Sequence, residues 1–292
     1  MLSLKNLSKS YKNNVALKNV SLNISEGICF GLIGPNGAGK STLIKIIASV
    51  IQDYSGNVQF TNNKIQIGYV PQEIALEETL SARDNLHFFG RLYGLKGAVL
   101  QKRTEEVLSE IGLTERGKEK VKTFSGGMKR RLNIGCAIIH QPRFIIMDEP
   151  TVGIDPQSRR YIFNMIEKFK SNGFTIIYAS HYMEEIEQLC EEAAFMDHGK
   201  VVENGSIEHL LKKHAVPSIY VKGRMCVPDD LSQTCSKGKD GGYLITANNP
   251  LAAMERMIHF CNENSGEIER LELVKPKLED VFFSLTGSQL RD

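Results

Sequence analysis

The sequence lacks any apolar run long enough to cross a bilayer, and its amino terminus, MLSLKNLSKSY, lacks the apolar core of a signal peptide. It also lacks a strong charge of either sign, because 36 basic side chains are balanced by 34 acidic ones. That balance disfavours a surface devoted to nucleic acid. We therefore expect a cytoplasmic chain that binds no nucleic acid.

The cysteines include no CxxC pair. Disulfide frameworks and zinc sites place cysteines at short, recurring spacings, whereas these cysteines are scattered. The spacing predicts reduced thiols that serve as small core residues. The residues are Cys29, Cys136, Cys190, Cys226, Cys235 and Cys261.

The stretch GPNGAGKST fits the phosphate-loop pattern G-x-x-x-x-G-K-[ST]. The apolar run ICFGLI before it is typical of a strand, and STLIKIIASVI after it has helical length. Glycines let backbone N–H groups turn towards phosphate oxygens, and the helix start adds its positive dipole end. In this pattern the lysine reaches the β- and γ-phosphates and the serine hydroxyl binds Mg²⁺. The predicted nucleotide-binding residues are Gly34, Pro35, Asn36, Gly37, Ala38, Gly39, Lys40, Ser41 and Thr42.

Three further apolar runs of strand length end in a polar side chain. RFIIMDEP ends in Asp148 and Glu149, FTIIYASH ends in His181, and IQIGYVPQ ends in Gln72. In an open parallel sheet the ligand lies beyond the carboxyl ends of the strands. The sequence therefore predicts that these side chains meet the phosphate loop at one edge of a sheet.

Charge indicates a role for each of these side chains. Asp148 is suited to hold Mg²⁺ directly or through water, since Mg²⁺ prefers a few carboxylate and water oxygens. Glu149 is then available to orient or deprotonate an attacking water. His181 is suited to hydrogen-bond the γ-phosphate, and Gln72 to contact Mg²⁺ or the water. With Ser41, these residues predict hydrolysis of a nucleoside triphosphate supported by Mg²⁺.

A second glycine-marked helix start lies in TFSGGMKRRLNIG. Ser125, Gly126 and Gly127 fit the beginning of a helix whose hydroxyl and N–H groups suit an anion. The residues alone predict a phosphate contact and do not say which nucleotide is contacted. The basic run from Lys129 to Arg131 is predicted to be a solvated helix face beside the nucleotide.

These motifs, in this order, resemble the ATP-binding subunits of ABC transporters over roughly residues 1–210. The resemblance rests on the phosphate loop, the Q-loop at Gln72, the signature FSGGM, the Walker B run FIIMDE, the D-loop VGID and the H-loop at His181. The signature departs from the usual Leu-Ser-Gly-Gly-Gln, because Met128 stands where the family has glutamine. SGGMKRRL and KPKLEDVFFSLTG resemble the ABC-2 type exporter branch, whose cargoes include drugs, lipids, polysaccharides and antimicrobial peptides.

The resemblance implies further roles. Tyr11 would stack on adenine, and Asp155 would belong to the nucleotide site through the D-loop. Ser125 would contact the γ-phosphate held by a second subunit, so that a head-to-tail dimer traps two ATP molecules. The helical subdomain near Gln72 would dock on a separate transmembrane permease, which would place the protein on the inner face of the cell membrane.

Three matters stay open at this stage: the cargo, the identity of the permease, and whether the partner is an identical or a related subunit. A soluble ABC-type ATPase without a transport role is the alternative. DNA-repair members carry a long coiled coil between the phosphate loop and the signature, and tandem translation factors carry two phosphate loops; this sequence has neither feature. A small-molecule kinase would have no use for the signature.

The predicted fold class is α/β. It comprises a P-loop NTPase core with a RecA-like parallel sheet, an antiparallel β subdomain near the amino terminus, a helical subdomain at about 75–141 and a small C-terminal α/β accessory domain of unassigned role. The predicted domains are 1–214 and 215–292. A hairpin is predicted around His198 and Gly199. After Pro217, SIYVKG, GYLITA and EIERLELV predict strands, and PLAAMERMIHFCNEN and KLEDVFFSLTG predict helices.

Overall fold

The computed structural model describes residues 2–12, 14–62, 65–224, 227–232, 234–238 and 240–286. These residues divide into two compact units, and the division in the chain lies between Ile207 and Glu208. The predicted domain boundary, between 214 and 215, lies at the other end of the helix Ile207–His214.

The strands and helices follow the predicted order. The strands are β1 (Leu2–Tyr11), β2 (Asn14–Ile24), β3 (Cys29–Ile33), β4 (Ser55–Phe60), β5 (Ile67–Val70), β6 (Phe144–Asp148), β7 (Thr175–Ser180), β8 (Glu192–Asp197), β9 (Lys200–Ser206), β10 (Ser218–Arg224), β11 (Cys235–Lys237), β12 (Tyr243–Thr246) and β13 (Glu267–Val274). The α-helices are α1 (Lys40–Ile47), α2 (Ala82–Leu92), α3 (Gly97–Glu110), α4 (Gly126–Ile138), α5 (Pro156–Ser171), α6 (Met183–Leu189), α7 (Ile207–His214), α8 (Asp229–Ser232), α9 (Pro250–Glu263) and α10 (Leu278–Thr286).

A six-stranded sheet in the order β5-β6-β7-β3-β8-β9 forms the centre of the first unit. The pairs from β5 to β8 are parallel, and β9 returns antiparallel to β8. Strands β3, β6 and β7 are buried along their whole length, as expected for parallel strands covered on both faces. The predicted P-loop fold with a parallel core is confirmed.

A three-stranded antiparallel sheet, β2-β1-β4, packs on the central sheet through α1. Leu43 and Ile44 of α1 share one buried cluster with Leu2 of the small sheet and Ile146 of the central sheet. This packing holds the first turn of α1 against both sheets. It therefore fixes the phosphate loop, which leads directly into that turn.

Helices α2, α3 and α4 form the predicted helical subdomain between β5 and β6, with two short 3₁₀ helices, Thr114–Arg116 and Val121–Thr123, before α4. The start of α2 is fixed by a reciprocal capping box between Ser81 and Asp84. Among the residues that the structure describes, no helix is long and apolar enough to span a membrane.

The second unit is a four-stranded antiparallel sheet in the order β11-β12-β10-β13, with α9 packed against one face. Ile219, Val221 and Ile245 of the sheet meet Met257 of α9 in its core. The β-α-β-β-α-β element order with this strand order is the ferredoxin-like topology. The sequence analysis identified the larger elements but missed the short α8 and β11.

The cysteines behave as predicted where the structure describes them. Cys29, Cys136, Cys190 and Cys261 are buried thiols and Cys235 is partly buried, while Cys226 lies outside the described residues. The sulfur atoms of Cys29 and Cys190 lie 3.5 Å apart in a thiol hydrogen bond. That separation is far longer than a disulfide bond.

Candidate active site

The phosphate loop connects β3 to α1. Two separate constraints, a positive φ and a lack of space for a Cβ atom, explain its glycines. Gly39 has a φ of +103°, in the left-handed region, and a Cβ there would lie 2.6 Å from the carbonyl oxygen of Ala16. A Cβ on Gly34 would lie 2.3 Å from the carbonyl oxygen of Met196. Gly37 has a φ of +82° with open space above it. The loop is thus packed on its protein side and open around Gly37.

Lys40, the first residue of α1, lies under this loop with its ammonium group buried. Nζ donates to the carbonyl oxygens of Gly34 at 2.6 Å and Pro35 at 3.3 Å, and it lies 3.7 Å from Oε1 of Glu149. Burial lowers the pKa of Lys40, while the negative charges of Glu149 and Asp148 act in the opposite direction. The loop therefore contains a buried cation whose partners are two carbonyl groups and a carboxylate.

Ser41 and Asp148 bring a hydroxyl and a carboxylate together. Ser41 Oγ donates to Asp148 Oδ1 at 3.3 Å. Burial raises the pKa of Asp148, while the Ser41 hydrogen bond and the charge of Lys40 oppose that shift. Burial, followed by the charge of Asp148, also raises the pKa of Tyr69 to about 12. An oxygen pair of this kind suits a hard divalent cation, which would relieve the cost of the buried carboxylate.

Glu149 occupies a strained backbone position and contacts His181. Its φ is +50°, a left-handed value that is uncommon for residues other than glycine. Its N–H donates to the carbonyl of Ala179 on β7 at 3.0 Å, which fixes the backbone. Glu149 Oε2 lies 2.7 Å from His181 Nδ1. Because an ionised carboxylate only accepts hydrogen bonds, Nδ1 carries the proton in this pair.

These contacts define a strand-edge cluster of Lys40, Ser41, Asp148, Glu149 and His181. Its members follow β3, β6 and β7, which are adjacent parallel strands, and β5 lies on the other side of β6. Asp148, Glu149 and His181 therefore meet the phosphate loop at one sheet edge, as predicted, whereas the exposed side chain of Gln72 is not part of these contacts. A phosphate loop with open space at Gly37, a buried ammonium and an oxygen pair fit the phosphates of ATP and a bound Mg²⁺.

A buried carboxylate behind the cluster supports its backbone, and sequence reasoning missed it. Glu185 on α6 accepts hydrogen bonds from the hydroxyls of Thr151 at 2.8 Å, Tyr178 at 2.9 Å and Ser180 at 3.1 Å. Thr151 and Ser180 lie in the segments that carry Glu149 and His181. Burial raises the pKa of Tyr178 well above its usual value, and the charge of Glu185 raises it further.

The signature residues lie apart from the strand-edge cluster within this chain. Ser125 is exposed and caps α4, accepting a hydrogen bond from the N–H of Met128 at 3.3 Å. Asp155 caps α5 by accepting from the N–H of Ser158 at 2.9 Å, which lowers the pKa of Asp155. A Cβ on Gly127 would overlap Ser158, so the two helix starts pack together. Gly126 has open space around it.

Tyr11 and Gln72 also lie outside the cluster's hydrogen bonds. Tyr11, at the end of β1, is 46% exposed, and Lys9 Nζ lies 5.1 Å from its ring centroid. Gln72 follows β5 with an exposed side chain. An exposed aromatic ring at a strand end is free to stack on a base.

The predicted solvated face of the basic run is wrong. Arg130 is only 5% exposed, and its Nη1 and Nη2 donate to the carbonyl oxygens of Pro71 at 2.9 Å and Gln72 at 2.7 Å. Burial lowers the pKa of Arg130. Arg131 donates to the carbonyl of Ile111 at 2.7 Å. Both arginines therefore donate hydrogen bonds to backbone carbonyl oxygens instead of facing solvent, because α4 is packed on most sides and has little solvated surface.

The fold and the cluster together define a P-loop nucleoside triphosphatase. A family model described as ABC transporter matches residues 17–152. The chain is 38% identical to the linearmycin resistance ATP-binding protein LnrL of Bacillus subtilis (strain 168), over all of both chains. It is 33% identical to the Nod factor export ATP-binding protein I of Cupriavidus metallidurans, covering all of this chain and 99% of that one. The chain belongs to the ABC transporter family, as an ATP-binding subunit.

A solved structure supports the same assignment. A dimeric ATP-binding cassette in a post-hydrolysis state, bound to ADP and Pi, is 29% identical, with a TM-score of 0.64 over 71% of this chain and 99% of that one. These relatives confirm that the chain is an ATPase subunit of a transporter. They also confirm the predicted partners, which are a second copy of the chain and a membrane permease. The comparisons favour the transporter subunit over the ABC-type ATPase without a transport role.

Proposed function

We propose that this chain hydrolyses MgATP with the strand-edge cluster and thereby powers an exporter. The observation that carries the proposal is Glu149, whose carboxylate lies between Lys40 and His181 at the edge that receives the phosphate loop. A carboxylate held on both sides is suited to orient and deprotonate an attacking water.

The other residues of the cluster have complementary roles in this proposal. Lys40 exchanges its carbonyl partners for the β- and γ-phosphates, since a charged phosphate is the better acceptor. Ser41 and Asp148 hold Mg²⁺, with Gln72 contacting the ion or the water. Bound Mg²⁺ would neutralise phosphate charge. His181 orients Glu149 through Nδ1–H, and we assign its second nitrogen to the γ-phosphate, a contact in which that nitrogen also carries a proton, so that both ring nitrogens donate.

The residues outside the cluster complete the site from two sources. Tyr11 stacks on the adenine of its own subunit. The helix start at Ser125, Gly126 and Gly127 contacts the γ-phosphate of the partner subunit, and Asp155 lies against that helix start through Gly127. Two subunits packed head to tail then trap two ATP molecules, and hydrolysis reopens the dimer.

The helical subdomain transmits this motion to the permease. Phe88 and Leu92 of α2 are 54% and 67% exposed, whereas Leu86 belongs to the core. Exposed apolar side chains close together on one helix suit a protein interface. We assign Phe88 and Leu92 to the permease contact, which would hold this chain at the cytoplasmic face of the membrane. The two relatives are named for linearmycin resistance and Nod factor export, and on their names we propose that the exporter of this chain likewise carries a compound out of the cell.

A mixing experiment tests the arrangement across two subunits. Lys40→Ala disables the phosphate loop, and Ser125→Arg places bulk at the helix start, so each homodimer has two defective sites. A mixed dimer has one site with both residues intact, and random pairing restores up to about a quarter of the parental ATPase rate. If Ser125 served its own chain's nucleotide, no site in the mixture would be complete.

Two controls sharpen this experiment. Ser81→Arg makes the same change at another helix N-cap, the half-buried start of α2, and should keep ATPase activity on its own. If the two sites are coupled, each hydrolyses ATP only when both are intact, and a mixed dimer would then show no turnover. Trapping of labelled ATP is therefore measured beside turnover. The absence of both recovered turnover and trapping would contradict the composite site.

A further inference from the structure

The segment that carries Gln72 is held by α4, the helix that begins at the signature. We call residues 71–75 the Gln72 loop. Arg130 donates to the carbonyls of Pro71 and Gln72, and Asn133, one turn later, accepts from the N–H of Ala75 at 3.3 Å. The loop has no helical or strand hydrogen bonds of its own. Its backbone position is therefore set largely by side chains of α4.

The burial of Arg130 is costly and calls for a reason beyond stability. Within the described part of the chain, its guanidinium contacts no carboxylate and its hydrogen-bond partners are the two carbonyl groups, although the charge of Asp148 acts on it at longer range. A buried cation without a paired anion is destabilising compared with an apolar side chain of similar size. A planar fork that reaches two successive carbonyls instead fixes geometry, which a lysine cannot do.

We propose that Arg130 is a positioning residue that sets the location of Gln72 in the nucleotide site. This inference rests on the proposed role of Gln72 at Mg²⁺ or the attacking water. It also ties Gln72 of one nucleotide site to Ser125 of the other, because both are attached to α4. A displacement of α4 by the partner's nucleotide then moves Gln72 in its own site.

A double-mutant cycle tests whether Arg130 acts through Gln72. Arg130→Met and Gln72→Ala are made singly and together; kcat is measured, and the Mg²⁺ requirement is measured at equilibrium as the Mg²⁺ dependence of binding of a non-hydrolysable ATP analogue. Each single change is expected to lower kcat about tenfold and to raise the Mg²⁺ requirement. If Arg130 acts through Gln72, the double variant loses about tenfold, whereas independent effects would give about a hundredfold.

Arg131→Met is the matched control. Arg131 is the next residue of α4 and also donates to two backbone carbonyls, those of Ile111 and Gly112, but neither belongs to the Gln72 loop. Its effect should multiply with that of Gln72→Ala and leave the Mg²⁺ requirement unchanged. Arg130→Lys, which can retain one carbonyl contact, should lie between the parent and Arg130→Met.

The outcomes separate this inference from the proposed function. If Gln72→Ala lowers kcat and the fold-loss from Arg130→Met multiplies with it, Arg130 does not act through Gln72. The positioning role is then overturned, and the role of Gln72 stands. Should Gln72→Ala behave as the parent, both fall. Thermal melts check folding, and if Arg130→Met does not fold, Arg130→Lys carries the same cycle with Gln72→Ala.

Discussion

Replacing Glu149 with glutamine tests whether its carboxylate accepts a proton from the attacking water. The amide keeps the shape of the side chain and can still hydrogen-bond His181, but it cannot accept a proton from water. Both Glu149 and its neighbour Lys40 are about 95% buried, so little solvent is available to replace the lost base. A positioned general base contributes roughly 10²- to 10⁴-fold in rate, which corresponds to about 3–5 kcal/mol of activation free energy.

The same substitution should leave ATP binding intact or strengthen it. In the parent, Lys40 Nζ lies 3.7 Å from Glu149 Oε1. Two unit charges about 4 Å apart attract by roughly 4 kcal/mol at an effective dielectric constant of about 20, and part of this attraction is lost when Lys40 turns to a phosphate. Glutamine removes that competition. We therefore expect a kcat about 10³-fold lower and an ATP dissociation constant no higher than the parent's.

Single-turnover hydrolysis and equilibrium binding of ATP measure the two effects separately. Glu167→Gln, on the exposed face of α5, is the matched control and should behave as the parent, since surface ion pairs contribute little. A Glu149→Gln variant that turns over ATP at the parental rate would refute the assignment of the base. One that loses ATP binding as well would show that Glu149 serves binding and not chemistry.

Three further predictions follow from the same geometry. Tyr11→Phe should keep ATP affinity and Tyr11→Ala should weaken it by about 1–3 kcal/mol in equilibrium binding, because stacking needs only the ring; equal affinities would exclude stacking. Burial raises the pKa of Asp148, so the stability that this group contributes is lost as pH rises through that value. Asp148→Asn should therefore raise the nucleotide-free Tm at pH 7 and abolish the additional rise caused by Mg²⁺ with ATP; an unchanged response to Mg²⁺ would argue against Asp148 as a ligand. Truncation after residue 214 should preserve MgATP binding, since every assigned residue precedes it; a truncated protein that folds by circular dichroism but does not bind would mean that the proposed domain boundary is wrong.

The strand ends were predictable because parallel sheets impose a shared edge. Asp148 and His181 follow fully buried apolar runs, and β6 and β7 are adjacent, so chain direction alone places both side chains at that edge. The hairpin at His198 and Gly199 was also predictable from local sequence, since both residues adopt positive φ between β8 and β9. These elements depend on short-range pattern and on one topological rule.

Arg130 and Glu185 were not predicted because their environments come from distant segments. A run of basic residues is usually solvated, yet Arg130 shares a helix face with Ile134 and Ala137, at spacings of four and seven. That spacing was the available signal. Glu185 lies among acidic residues at the start of α6, and nothing local indicates that three hydroxyls converge on it. Its role is visible only when the strands are brought together.

Gly199 makes the phosphate loop depend on a residue far along the chain. Its N–H donates to the carbonyl of Ala38 at 3.0 Å, its carbonyl accepts from the N–H of Lys18 at 2.8 Å, and a Cβ on it would lie 2.6 Å from the carbonyl of Ala16. Two segments, the phosphate loop and β2, therefore converge on one backbone unit with no room for a side chain. In a saturation library selected for ATPase function, residue 199 should be as intolerant as the loop glycines, although it contacts no phosphate. Exposed His198, one residue away, should accept most polar residues. Mutational intolerance in this chain will thus mark the framework of the site as strongly as the site itself.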